Sequence, residues 1–318
     1  MCNIRYTGRI MTILVFGGTG LIGTETVARL CADGQPVAVA ARHRPKTSQL
    51  TMLADQFSFH AGDITDADFV ATLIRETKPT DIIHLAAMLI GGCETNPPGA
   101  INVNVNGTMN ILAAAADWGV RRVVFGSSIA VYGGGDGPFE ENMNPGARTV
   151  YGASKYLAEI AGYRFAKLTG LSFVALRYSG VNGPAPVMGE GMAYARDRIK
   201  STMYGGDVEI TVAAGDERTH LTYITDAVDA TLAALQHPNP SYPTYNIAGP
   251  DENYVSLKEY HQIIKGIVPE AGNVHYTGRT RGGGQIMTKR LREDLGFTPR
   301  FSIEDGLRDE LKRKGPAA

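Results

Sequence analysis

The stretch Thr12-Ile13-Leu14-Val15-Phe16-Gly17-Gly18-Thr19-Gly20-Leu21-Ile22-Gly23 decides the reading of this chain. Ile13 to Phe16 is an unbroken apolar run, as expected of a strand buried on both faces. Glycines at 17, 20 and 23 then punctuate a turn that leads straight into the helix-length segment Leu21 to Asp33. Glycine at such positions permits a tight turn, close backbone approach to a pyrophosphate and close helix-to-strand packing, while the helix N-terminus offers aligned N–H donors. The spacing is GxxGxxG rather than GxGxxG, and in isolation it would also suit an ordinary glycine-rich loop. Its place after the first strand of an alternating chain makes it a dinucleotide-binding turn, with Gly17, Thr19, Gly20, Leu21, Ile22 and Gly23 as contacts.

Outward from this turn, short apolar runs alternate with helix-length segments. Val37 to Ala40 precedes a weaker helix, Asp81 to Leu85 precedes a helix near Asn102 to Trp118, and Val123 to Phe125 and Phe173 to Leu176 flank a helix from Val150 to about Thr169, with Gly170 as its C-terminal cap. Alternation of this kind predicts an α/β fold, a doubly wound parallel sheet of Rossmann type. After Arg177 the rhythm breaks at Gly183-Pro184, Pro186, Gly189, Gly191, Gly205-Gly206 and Gly282-Gly283-Gly284, which predicts a smaller C-terminal substrate lobe over the sheet's C-terminal edge. The expected division is 11–178 plus 221–248 for the dinucleotide-binding domain and 179–220 plus 249–312 for the lobe. Residues 1–10 are polar and aperiodic, and are expected to be a disordered extension before a native start at Met11.

The end of the second strand reports which dinucleotide binds, because an acidic side chain there accepts hydrogen bonds from the ribose hydroxyls of NAD. Here it reads Ala40-Ala41-Arg42-His43-Arg44. Without a carboxylate, and with two guanidiniums beside a histidine, Arg42, His43 and Arg44 predict NADP as the preferred cofactor, with NAD possible.

Composition narrows the function classes. The 318 residues, 43% hydrophobic and 20% charged, are ordinary for a globular enzyme, and a net charge of −1 argues against nucleic-acid or membrane-surface partners. No apolar run approaches a membrane span. Cys2, Cys31 and Cys93 form no CxxC or metal-ligand spacing, so no metal is expected and a reduced cytoplasm is the expected location.

Tyr151 and Lys155 stand four apart at the start of a predicted helix, on one face. An ammonium beside a phenol favours the phenolate, giving a general acid/base for alcohol-to-ketone interconversion. Ser127-Ser128 ends a strand and places a hydroxyl at the same sheet edge.

These features, with Asp63-Ile64 after the third strand, His84-Leu85-Ala86-Ala87, Asn104-Val105-Asn106-Gly107-Thr108, Ser127-Ser128-Ile129-Ala130-Val131-Tyr132-Gly133 and Arg177-Tyr178 leading to Gly183-Pro184, resemble the extended short-chain dehydrogenase/reductase superfamily, specifically its NAD-dependent epimerase/dehydratase family. The resemblance covers nearly the whole chain. It implies that Ser128 positions the substrate oxygen, Tyr151 carries the proton, and Lys155 binds the nicotinamide ribose and tunes Tyr151. It also implies that Asp63 and Ile64 flank adenine, that Leu85, Ala86 and Ala87 pack beside the dinucleotide, and that Ser127, Tyr178 and Val181 line its site. His84 reads as structural. The helices near 102–118 and 150–169 carry apolar faces (Ile111, Leu112, Ala115; Leu157, Ala158, Ala161, Phe165), and relatives often pair them, which implies a homodimer.

Departures from the family pattern indicate the substrate class. Family dehydratases carry acidic residues after the catalytic serine, whereas this chain has Ile129 and Ala130. Nucleotide-sugar epimerases grip the diphosphate with an asparagine three after the Arg of Arg-Tyr and an arginine seven before a later aspartate; here those positions are Gly180 and Thr219, with Arg218 one place off. The combination is similar to short-chain L-threonine dehydrogenases, though the basic Arg42 to Arg44 loop departs from them. The expectation is an NAD(P)-dependent oxidoreductase for a small polar substrate held by Met88, Ser128, Ser179 and Gly180, with Arg218 or His220 for a carboxylate. A sugar or nucleotide-sugar epimerase is the alternative, and a non-catalytic NADP(H) sensor the remaining one.

Overall fold

The structure, a computed structural model, describes residues 12–44, 48–184, 192–280 and 282–314. The expectations on residues 1–10, Met11, Pro186, Gly189 and Gly191 lie outside the described residues. The first half is built from β1 (Ile13–Phe16), α1 (Leu21–Ala32), β2 (Val37–Ala41), α2 (Ser48–Met52), β3 (Phe57–Ala61), α3 (Ala67–Thr77) and β4 (Asp81–His84). Then come α4 (Ile90–Thr95), α5 (Pro97–Ile101), a π-helical turn (Asn102–Asn106), α6 (Gly107–Asp117), β5 (Arg122–Ser128), α7 (Val150–Thr169) and β6 (Ser172–Tyr178).

The remaining elements are β7 (Gly180–Asn182), α8 (Met192–Ser201), β8 (Val208–Ile210), β9 (Arg218–Tyr223), α9 (Ile224–Gln236), β10 (Thr244–Ile247), β11 (Tyr254–Ser256), α10 (Leu257–Ile267), β12 (Val274–Tyr276), α11 (Lys289–Glu293) and α12 (Ile303–Lys314). Seven parallel strands in the order β10-β6-β5-β4-β1-β2-β3 form the main sheet. Strand order reverses at β1, between β2 and β4, and the crevice above the C-terminal ends of these strands is where doubly wound sheets bind ligands.

Strand alternation divides the core. Ile13 and Val15 face a layer that contains α1 and α9, whereas Leu14 and Phe16 face the layer of α3, α6 and α7. With both faces covered, β1, β4 and β5 need apolar residues at successive positions, and this is why their runs were visible in the sequence. The boundaries of α7 follow equally local chemistry. Thr149 Oγ1 accepts the Gly152 N–H at 3.0 Å, and Gly170 ends the helix at φ 78°.

The second lobe has its own apolar core, including Ile199, Ile210, Leu221, Tyr260, Ile264 and Leu307. Two small sheets, β11-β9-β7 and β12-β8, carry it. All of β9 belongs to the first of these, and α9 follows it from Ile224 into the main sheet's layers. The glycines at 282–284 lie in a segment that crosses to residues 135–139, where Gly135 bridges Gly283 and Phe139 bridges Ile286.

Candidate dinucleotide and active site

The glycine turn joins β1 to α1 beside the segment after β4. A Cβ on Gly17 would lie 2.5 Å from Ala86 N, and one on Gly23 would lie 2.2 Å from Gly17 O. Neither position tolerates a side chain, because the colliding atoms are backbone. Gly20 differs: its Cβ would meet only Gly17 O, at 3.5 Å, and project into open space. As N-cap of α1 it provides no side-chain cap, so the first N–H groups of the helix are left to a ligand. This open cradle at a twelve-residue helix N-terminus suits a dinucleotide pyrophosphate. Leu85, Ala86 and Ala87 border it, and the Leu85 N–H donates to Phe16 O at 2.8 Å.

Arg42, His43 and Arg44 are exposed past the end of β2, and the Arg44 guanidinium lies over the Phe59 ring, 5.3 Å from its centroid. Asp63 accepts from both the N–H and the hydroxyl of Thr65 at 2.9 Å, shaping the turn after β3, while Asp66 is the N-cap of α3. Ile64 is buried, with its side chain against the Gly107 backbone.

Ser128 ends β5, and its Oγ accepts the Ala130 N–H at 3.1 Å, fixing the tight turn Ile129–Tyr132. The N-terminus of α7 presses onto this turn, because a Cβ on Gly152 would lie only 2.4 Å from Ala130 O. That approach brings Tyr151 towards Ser128, whose side chain acts to lower the proton affinity of the phenol. Lys155 is buried one turn on, donates to Gly126 O at 2.7 Å, and lies 4.6 Å from the Phe125 ring centroid and 5.9 Å from that of Tyr151.

Burial sets the protonation states. The Tyr151 hydroxyl is pushed up to about 12, opposite to the lowering expected from its lysine neighbour, because desolvation of the phenolate, with Cys93 adding to it, outweighs the lowering by the Ser128 side chain. Lys155 is pushed down to about 8 by the same desolvation, opposed by Cys93 and Glu159. Asn104 ties the neighbouring segments together: its Oδ1 accepts from Met88 N at 2.8 Å, and its Nδ2 donates to Met88 O at 3.1 Å and Ser154 Oγ at 2.9 Å.

Several residues expected to touch ligand are occupied by the protein itself. Ser127 donates to Glu159, which also receives a forked bond from Arg177 (2.7 and 3.0 Å). Tyr178 bonds Thr231 at 2.6 Å, Ser179 bonds Thr222 at 2.6 Å, and Val181 packs in the core under α9. His220 Nδ1 accepts the Ile286 N–H at 3.2 Å, so its Nε2–H is the donor, directed at Gly249 O and Pro250 O. Both nitrogens are used, and burial holds the ring below the usual histidine range, so His220 has the packing role and no free donor for a carboxylate. Arg218 lies over Tyr254, donates to Tyr254 O at 2.5 Å and pairs with Glu259 at 3.2 Å.

Sequence reasoning missed Asn104 as a tie, the buried Glu159–Arg177 pair and Arg196, whose guanidinium fills the space above Gly180. The i+4 spacing of Glu159 from Lys155 was a usable signal for the pair, since both then share a helix face; nothing local marked Arg196. Among the described residues no group of histidine, cysteine or acidic side chains could hold a metal, and no helix is long and apolar enough to cross a membrane.

Sheet order and glycine cradle together define an α/β protein of the dinucleotide-binding type, with Ser128, Tyr151 and Lys155 gathered at the sheet edge. Residues 13–248 match the NAD dependent epimerase/dehydratase family, and the chain belongs to that family. It is 32% identical over 316 residues to a UDP-glucose 4-epimerase of Streptococcus mutans, covering 92% of each chain. Its structure is similar to the Thermus thermophilus UDP-glucose 4-epimerase in complex with NAD (TM-score 0.81, 26% identity, 94% and 97% of the two chains). It is equally similar to a monomeric L-threonine 3-dehydrogenase from a metagenome (TM-score 0.83, 26% identity, 95% and 98%).

Proposed function

We propose that this protein is an NAD(P)-dependent oxidoreductase that transfers a hydride between the nicotinamide and a secondary alcohol or ketone of a small polar substrate. The observation that carries this reading is the gathering of Ser128, Tyr151 and Lys155 by the C-terminal end of β5, where α7 presses onto the turn that Ser128 caps and Lys155 bonds Gly126 O. When bound, a nicotinamide dinucleotide would supply the hydride-transfer chemistry, held at the glycine cradle of residues 17–23. A phenol raised to about 12 is protonated at neutral pH, ready to donate to the oxygen of a ketone while Ser128 holds that oxygen. The buried Lys155 ammonium stabilises the phenolate left behind. Glycine at 180 and threonine at 219 favour a compact substrate over a nucleotide sugar, because neither grips a diphosphate.

A second reading, a sugar or nucleotide-sugar epimerase working through a transient ketone, is favoured by the 32% identity to a UDP-glucose 4-epimerase. It would use the same three residues. NADP as preferred cofactor rests on the exposed Arg42 and Arg44 and on the absence of an acid among residues 40–44. A homodimer through α6 and α7 is part of the same proposal. Spectrophotometric assay of cofactor oxidation and reduction across hydroxy acids, sugars and nucleotide sugars tests the reading. Net dinucleotide turnover with a small substrate is expected, and interconversion of nucleotide sugars without net turnover would establish the epimerase instead.

A further inference from the structure

Arg196, on α8, is a buried cation with no ion pair among the described residues. The residue is 8% exposed, Nη1 reaches Thr219 Oγ1 at a long 3.5 Å, and Nε has no partner among the described residues. Desolvation pushes its proton affinity below the usual arginine value, with Tyr260 and Asp197 only partly opposing the shift. A guanidinium taken out of water and left unpaired is strongly disfavoured, and unsatisfied buried donors mark places where a ligand or ion belongs.

The position of this cation is informative. A Cβ on Gly180 would lie 2.9 Å from Arg196 Cζ and 3.0 Å from Nη1, so the guanidinium fills the space a side chain at 180 would take. Among the described residues, Thr219 supplies a hydrogen-bond acceptor for it. The two positions that lack diphosphate-gripping side chains therefore both face a single buried arginine. Gly180 stands two residues past Tyr178, the register partner of Ser128, so the backbone this cation packs against continues directly from the strand paired with the end of β5.

We propose that Arg196 binds the anionic group of the substrate, taking the place of the side chains absent at positions 180 and 219. The inference rests on the reading of this edge as the substrate site. A guanidinium presents a flat fork of donors that matches the paired oxygens of a carboxylate or of a phosphate, and a lysine cannot reproduce it. Which of the two anions it takes is decided by experiment.

The test is calorimetric titration of the full chain, saturated with NADH, with UDP and separately with lactate. One of these anions is expected to bind the wild type, to lose about tenfold or more in affinity in Arg196→Gln, and to lose less in Arg196→Lys, with NADH affinity unchanged. Gly180→Ala, which crowds the guanidinium, is expected to weaken the same anion. Failure of both anions to bind the wild type at concentrations on the order of 10 mM, or equal binding by Arg196→Gln, overturns the proposal. Arg196→Met gives a readout free of any ligand. Removing a buried charge that has no ion pair among the described residues is expected to leave the melting temperature unchanged or raised, and a clear fall would mean that a carboxylate of the chain itself is the partner. Because these measurements read binding and stability, an inactive substrate panel would defeat the oxidoreductase reading while leaving the arginine assignment standing.

Discussion

At the scale of single residues, the chemistry depends on burial. Tyr151→Phe keeps the ring and its packing but removes the phenolic proton, so turnover is expected to fall by roughly two to four orders of magnitude with dinucleotide affinity near wild type. Steady-state kinetics and NADH titration of the variant check both halves. If NADP is the cofactor as proposed, Arg42→Ala takes away one charge-assisted contact to its 2′-phosphate, worth about 1.5 to 3 kcal/mol. NADPH affinity is expected to drop roughly tenfold or more while NADH is barely touched, and equal losses would remove the basis for NADP. His84 titrates outside the chemistry. Thr108 donates its hydroxyl proton to Asn104 O, so the His84 Nε2–H donates to Thr108 at 2.9 Å, and burial together with Lys155 pushes the ring down to about 3. A neutral histidine in the fold and a reference value of 6.5 in the unfolded chain mean that the unfolded state takes up the proton first as pH falls. Stability is therefore full above 6.5 and declines below it, by about 2 kcal/mol at pH 5 from this group. Denaturant midpoints at pH 7 and pH 5 should show a smaller difference in His84→Asn than in the wild type.

At the scale of elements, the active arrangement depends on how closely α7 approaches the turn after β5. Gly152 permits that approach, and the Ala130 carbonyl it would meet belongs to the backbone of a tight turn that Ser128 itself caps. Gly152→Ala is expected to cost about 1 to 3 kcal/mol of stability through overpacking. Because the strain separates Tyr151 from Ser128, the variant should lose kcat by more than its lowered stability explains. Thermal melts beside kinetics on the folded fraction make the comparison, and a folded variant with wild-type kcat would show that the close approach is structural only. The π-helical turn at Asn102–Asn106 has a comparable effect on the other side, where Asn104 holds both polar groups of Met88 and so shapes the loop facing the site.

At the scale of the whole molecule, α6 and α7 meet two demands. Ile111, Leu112, Ala115 and Ala158, expected to face a partner, instead pack fully on the main sheet, in one layer with α3. The outer face of α7 retains Leu157 (46% exposed) and Ile160 (42% exposed), which remain available for a second copy. A homodimer is expected by light scattering at micromolar concentration, and Leu157→Arg is expected to shift it to monomer without loss of helical signal. A wild type that stays monomeric under those conditions would remove the dimer.

The sequence by itself determined the strand and helix succession, the glycine turn and the limits of α7, since each is written in neighbouring residues. Strands covered on both faces require unbroken apolar runs, Thr149 and Gly170 act on backbone groups within a single helical turn, and the glycines at 17 and 23 answer steric demands within their own turn and at the adjacent Ala86. It also brought Ser128, Tyr151 and Lys155 together as candidates. Tertiary structure alone decided what each polar group has left to offer. Ser127 meets Glu159 across 32 residues, His220 meets Ile286 across 66, and Arg196 meets Thr219 across 23. Hydrogen bonding over such separations is fixed by the packing of helices and lobe, not by any local pattern. The same packing removes water from Tyr151, Lys155 and Arg196, and desolvation, which no spacing rule encodes, sets how tightly each holds its proton.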